Sequence, residues 1–157
     1  MMQTKLYTIG YGNRKIEDFI MLLKKYEINL LVDIRSTPYS RFRPSFNKSV
    51  LEQYLLNENI DYRFLGKELG GIPENNDLYI NDIPDYQKMR QTLNYQNGIR
   101  YLEAGMEFNY KMAIMCAELD FRKCHRHNLV GVDLQKRGYE VLHIEKDGEL
   151  YQDKGLF

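Results

Sequence analysis

Tryptophan is absent from this chain, and cysteine occurs only twice in 157 residues. Two cysteines cannot make the disulfide framework of a small secreted scaffold. Charge of either sign is not in excess: 22 Lys and Arg offset 22 Asp and Glu. A general nucleic-acid coat protein or a polybasic membrane binder is thereby disfavoured, while a local basic patch is not. No apolar run reaches the roughly 18 residues of a membrane span. The opening MMQTKLYTIGYG lacks the long apolar region of a secretory leader. No internal repeat, low-complexity tract or linker is visible. These absences lead us to expect a soluble cytoplasmic protein with reduced thiols and no membrane partner; oligomeric state is not legible.

What is present fits one α/β domain over 1–157, long enough for a core without staples. KLYTIGYG is a short apolar run stopped by glycines, a first strand, after which Asn13 is placed to cap a helix. Ile16, Phe19, Ile20 and Leu23 follow at helical spacing and form one apolar face. INLLVDIRS reads as a strand covered on both faces, with its charges Asp33 and Arg35 at the end. Ser49 and Glu52 stand in capping-box spacing at the start of a second helix that runs to about Asn59. DYRFLG is a third, shorter strand. The stretch 66–85 is rich in Gly, Pro, Asn and Asp and reads as a long loop. Residues 85–106 carry one or two helices with a break near Gly98. YKMAIMCA is a strong strand, Asp120 is placed to cap a helix that ends at Gly138, and YEVLHI is the last strand. Strands near 5–10, 29–34, 61–65, 111–116 and 140–144, alternating with helices, predict a mostly parallel sheet of about five strands with helices on both faces.

Ligands of such sheets bind beyond the carboxyl ends of the strands. Three chemically dense clusters fall there: GYGN, DIRSTPYSRFRP and CAELDFRKCHRH. The last holds Cys116, Cys124, His125 and His127, a count that invites a metal. Structural zinc favours closely paired ligands, and on a helix His125 and His127 would lie about 200° apart, so we expect no metal and no cofactor. Cys116 and Arg122 have the Cys-x5-Arg spacing of a phosphate loop. The intervening AELDF, however, has no glycine and two acids, a poor anion nest. Cys116 then reads as a small buried hydrophobe. Cys124, beside His125 and Arg126 near a helix start, sits where a thiol pKa falls, or is simply packed. Both cysteines are expected unlinked.

An anion cradle uses more of the pattern. Arg35 ends a strand, and Arg41 and Arg43 follow among Tyr39, Phe42 and Phe46. Arg126 lies one turn into the last helix. Helix N-termini and arginine forks suit phosphate, and aromatics between arginines can stack a base. Asp33 and Glu118 follow strand ends and can act as a base or merely orient the arginines. His125 is the other acid/base candidate, Tyr11 can serve as a hydrogen-bonding group, and His143 reads as a satisfied core histidine.

TIGYGN, LLVDIRSTPYSRFRPSF, LGKELGG and CAELDFRKCHR, in that order, resemble the bacterial and archaeal family known as domain of unknown function 488, over about residues 4 to 145. Tyr11 and Gly12 stand where that family usually has histidine and serine, and Phe121 where it usually has proline. The resemblance implies the fold and the site's location; it supplies no settled reaction.

The expectation is an enzyme acting on a phosphate-bearing nucleotide or nucleic-acid substrate. Glu118, His125 and Asp33 are the catalytic candidates. Arg35, Arg41, Arg43, Arg126, Tyr11 and Cys124 are the binding candidates. The rivals are a non-catalytic nucleic-acid-binding module and a thiol-dependent redox protein using Cys124.

Overall fold

The computed structural model describes residues 4–152. Its frame is a six-stranded sheet, five strands of it parallel. These are β1 (Lys5–Gly10), β2 (Leu30–Asp33), β3 (Asp61–Phe64), β6 (Met112–Cys116) and β7 (Glu140–Ile144), with a short antiparallel edge strand, β8 (Leu150–Gln152). The spatial order is β3-β2-β6-β1-β7-β8. All five strands expected from apolar runs are there. β8 was not expected: it is exposed along its length and carries no buried pattern.

Both faces are covered. Helices α1 (Ile16–Lys25) and α2 (Lys48–Leu56) pack Phe19, Leu23, Leu51 and Leu55 on one face, against Ile9, Leu31, Ala113 and Met115. The other face takes α3 (Gly66–Leu69), α4 (Tyr86–Arg90), α5 (Leu93–Glu107) and α6 (Val132–Lys136). There Leu69, Ile99, Leu102 and Leu134 meet Leu6, Val32, Met112 and Val141. Alternate residues of β1, β2 and β6 thus serve opposite cores, as the period of a strand demands.

Several helix boundaries differ from expectation. Asn13 sits in a turn with Gly12, and Lys15, without a side-chain cap, precedes α1. Asn47 precedes α2, so Ser49 is already inside the helix and its capping-box spacing with Glu52 is coincidental. Helix α4 ends at Arg90, and Thr92 caps α5 by accepting from the Tyr95 N–H. The break is therefore at 91–92, and Gly98 lies within α5 close against Leu69. The stretch 66–85 is not simply a loop: it holds α3, a 3-10 turn at Asn76–Leu78, and the small hairpin of β4 (Tyr79–Ile80) and β5 (Ile83–Pro84). Asp120 caps only a 3-10 turn, Phe121–Lys123, with its side chain accepting from the Arg122 N–H. Cys124 then returns to extended backbone, and the last helix begins as a π-helical segment, Arg126–Gly131, that continues into α6. Gly138 does follow that helix in the left-handed region, at φ 94°.

Among these layers His143 of β7 is wholly buried. Its Nδ1 lies 2.6 Å from the Thr8 hydroxyl, and its ring stacks on Phe121 at 3.9 Å between centroids. Burial, then the positive neighbours His127, Arg126 and Arg122, push its pKa down to about 3, from an ordinary value of 6.5. The fold therefore holds this ring neutral while the unfolded chain protonates it below pH 6.5. Stability is fully present above that pH and falls as pH drops toward 3. We predict a melting temperature that declines through this acid window, and an NMR titration in which the His143 ring is still neutral at pH 5. A ring titrating near 6.5 would contradict the burial argument.

Candidate active site at the carboxyl edge of the sheet

The connections leaving β1 and β2 pass to the α1–α2 face, whereas the connection leaving the intervening β6 passes to the α6 face. Adjacent parallel strands whose exits diverge leave a crevice between them, the usual ligand position in this architecture. Gly10 pairs with Cys116 and Asp33 with Met115, so the three strand ends open on one rim, as expected. Gly10 lets the chain after β6 fold in closely: a Cβ there would strike the Glu118 carbonyl oxygen. The Tyr11 and Gly12 N–H groups donate to the carbonyls of Cys116 and Ala117, which fixes the two loops side by side.

A depression of about 470 Å³ lies on this rim. Five of the expected site residues line it together: Tyr11, Arg35, Glu118, Cys124 and His125. Ser36, Thr37, Ser40, Lys123 and Tyr86 line it as well and were not among the candidates. The hydroxyl run after Arg35 and the lysine before Cys124 were visible in sequence; nothing local pointed to Tyr86, which α4 brings from a distance. Larger hollows of about 610 Å³ lie between α5 and the β3 edge and beside the 66–78 segment, the latter sharing Ser36 and Ile72 with the rim.

Arg35 is 5 % exposed and Asp33 fully buried. The guanidinium donates through Nε to Asp33 Oδ1 at 2.9 Å and through Nη2 to Oδ2 at 2.7 Å. The Tyr62 hydroxyl donates to the same Oδ2 at 2.6 Å. Asp33 is thus saturated as an acceptor and holds Arg35 in place; it does not line the depression. Burial alone would lower the Arg35 pKa, but the Asp33 hydrogen bonds and charge outweigh it and hold the group above its ordinary value. Burial and the Asp33 charge push the Tyr62 phenol upward, which keeps it a donor. The Arg35 Nη1 is buried without a partner, and the Tyr11 ring lies 5.4 Å from the guanidinium carbon.

Arg126 is not presented to the depression. It is fully buried, donating to the Thr8 hydroxyl, the Cys116 sulfur and the Glu118 and Leu119 carbonyls. It sits at the first position of its helix instead of one turn in, because the chain is extended at Cys124. Burial pushes its pKa down to about 10, so it is charged at neutral pH. Arg41 is exposed, and Arg43 turns away to the Arg14 carbonyl and the Phe46 ring. Arg122 faces outward, pairing with Glu145 and Asp120, so the Cys-x5-Arg spacing builds no anion loop.

Glu118 is exposed on the rim, where its Oε1 accepts from the Asp120 N–H at 3.0 Å. His125 Nε2 stands 3.0 Å from the Ile34 carbonyl and therefore carries the proton, leaving Nδ1 as the acceptor in the neutral ring. Burial lowers its pKa against the opposing pull of the Ile34 and Leu69 carbonyls.

Cys116 and Cys124, expected as separate thiols, are brought sulfur to sulfur. The 3-10 turn at 121–123 doubles the chain back, so a strand-end sulfur and one eight residues later meet on the same wall. Their Cα atoms are 7.8 Å apart, a wider gap than the roughly 4.4–6.8 Å disulfides usually span.

A family described as a domain of unknown function, DUF488, matches residues 15–132, most of the chain. The chain belongs to the DUF488 family. No curated protein and no solved structure matches it. The DUF488 match includes the β2 loop and the 116–127 stretch; the Tyr11 turn precedes it. Among the described residues no helix is long and apolar enough to cross a membrane, and no group of three or more His, Cys, Asp and Glu is placed to hold a metal ion.

The Asp33–Arg35 pair gives this DUF488 site a stability signature. Asp33→Ala leaves a buried guanidinium unpaired, and we expect a loss of about 3–5 kcal/mol in urea unfolding. Arg41→Ala, at an exposed position, should stay within about 0.5 kcal/mol. Equal effects would show that the pair is not the anchor described.

Proposed function

We propose that this chain is an enzyme that binds a phosphate-bearing nucleotide or nucleic-acid end in the depression and acts on it with Glu118 as proton acceptor. The observation that carries the reading is Arg35: a guanidinium held on two of its nitrogens by Asp33, which Tyr62 holds in turn, with a third nitrogen buried and unpartnered in a side chain that lines the depression. A charged donor held in this way has already lost its conformational freedom, so an anion gains its hydrogen bond without ordering cost. Lys123 adds a second positive charge, and Ser36, Thr37 and Ser40 add hydroxyl donors. The buried Arg126 charge, offset by no carboxylate hydrogen bond, makes the wall behind more positive. Tyr39 and Tyr86 offer aromatic faces for a base. Glu118 is exposed at the rim, where a substrate could reach its carboxylate.

Screening mono- and dinucleotides and 5′-phosphorylated oligonucleotides by thermal shift tests the reading. A ligand at 100 times its dissociation constant stabilises by about 2.7 kcal/mol. Lys123→Ala and Arg35→Lys should weaken that shift, the latter by removing the fork while keeping the charge. Glu118→Gln should keep the shift and lower turnover by about 10²–10⁴. Turnover unchanged in Glu118→Gln would remove the assigned base. Binding with no turnover by the wild type would leave a binding module, and no shift by any phosphate-bearing compound would end the anion reading.

A further inference from the structure

Beyond anion binding, the structure assigns the Cys116–Cys124 pair to a second chemistry: we propose that it is a thiol–disulfide exchange site for small disulfides and dithiols. Both cysteines line the open depression, Cys116 4 % and Cys124 5 % exposed, so a small reagent that enters it meets them at its floor. Each has its own polar partner. The Cys116 sulfur accepts from Arg126 Nη1 at 3.0 Å. That guanidinium is fully buried, and its remaining partners are a hydroxyl and two carbonyls, none of them an anion. Glu118 and Asp120 act on this guanidinium only from a distance, so a thiolate at Cys116 is the anion in direct contact with it, the arrangement that makes a cysteine nucleophilic at neutral pH. The Cys124 sulfur lies 3.7 Å from His125 Nδ1, the ring nitrogen free to accept because Nε2 donates to Ile34. One sulfur is thus placed as a thiolate and the other as a thiol beside a base.

The steps balance as follows. In the reduced protein the Cys116 thiolate attacks one sulfur of a small disulfide, forming a mixed disulfide and releasing one thiolate. Cys124 passes its proton to His125 Nδ1, and its sulfur attacks Cys116 Sγ, which expels the second thiolate. That thiolate takes the proton from His125. The protein loses two electrons to form the Cys116–Cys124 bond, and the small disulfide gains two to become one thiolate and one thiol. Run backward, a small dithiol reduces the protein.

The experiment uses the full chain in glutathione redox buffers, with intact-mass readout and no denaturant. The wild type should gain and lose 2 Da reversibly as the ratio of oxidised to reduced glutathione changes. With Cys124→Ser, oxidised glutathione should trap a stable adduct on Cys116. With Cys116→Ser, the adduct on Cys124 should form about tenfold more slowly, since that sulfur lacks the guanidinium. A pair that stays reduced in oxidised glutathione, or that dithiothreitol opens only after denaturation, would overturn the proposal. So would equal trapping in the two variants, because the roles of Arg126 and His125 would then be unsupported. None of these readouts depends on a nucleotide, so the exchange reading stands or fails separately from the anion reading.

Discussion

One buried cation ties the functional edge together. The Arg126 guanidinium reaches β1 through Thr8, the end of β6 through the Cys116 sulfur, and the following loop through two carbonyls. A charge taken fully out of water must recover its solvation from fixed groups, and here those groups are the walls of the depression. The loop after β6 cannot drift from β1 without stranding donors in the core. Gly10 makes the same demand sterically, since only a residue without a Cβ lets the Glu118 carbonyl come so near. The rim is therefore built into the core; it is not laid on top of it.

The second buried cation works differently. Arg35 has a carboxylate of its own, and Asp33 is in turn held by Tyr62 from the next strand. This pair spends most of its capacity on orientation and leaves one buried nitrogen without a partner. The two arginines thus divide the labour: one organises backbone and sulfur, the other is fixed by a carboxylate.

Much of this fold was legible because strands buried on both faces leave long apolar runs, and INLLVDIRS and YKMAIMCA have them. The apolar face of α1 was legible for a similar reason: Ile16, Phe19, Ile20 and Leu23 all turn inward. Helix starts were not. Asn13, Ser49 and Asp120 are good capping residues by type, but the chain's path between elements decides which residue meets the first free N–H. The site was legible as a place, since it follows from strand ends. It was less legible as a set of side chains. Arg35, Arg41 and Arg43 share one loop, yet only Arg35 has a buried carboxylate two residues before it to turn it inward. Arg126 looked like a ligand donor because its charge was visible and its burial was not. The meeting of Cys116 and Cys124 depended on a single 3-10 turn, a feature too short to leave a periodic trace.

The strand order has a further consequence for how the molecule is assembled. β6 lies between β1 and β2, although half of the chain or more separates it from each. As the chain emerges from the ribosome, β1 and β2 are made first but have no hydrogen-bonding partner in each other; β2 has only β3 on its outer side. Both inner edges stay open until residues 112–116 insert and close the β1–β6 and β2–β6 ladders together. Such non-local pairing is slow to form, and unpaired strand edges are where nascent chains stick to one another. The same strand that delivers Cys116 to the rim thus joins the two halves of the sheet, and only the outer edge of β1 then waits for β7.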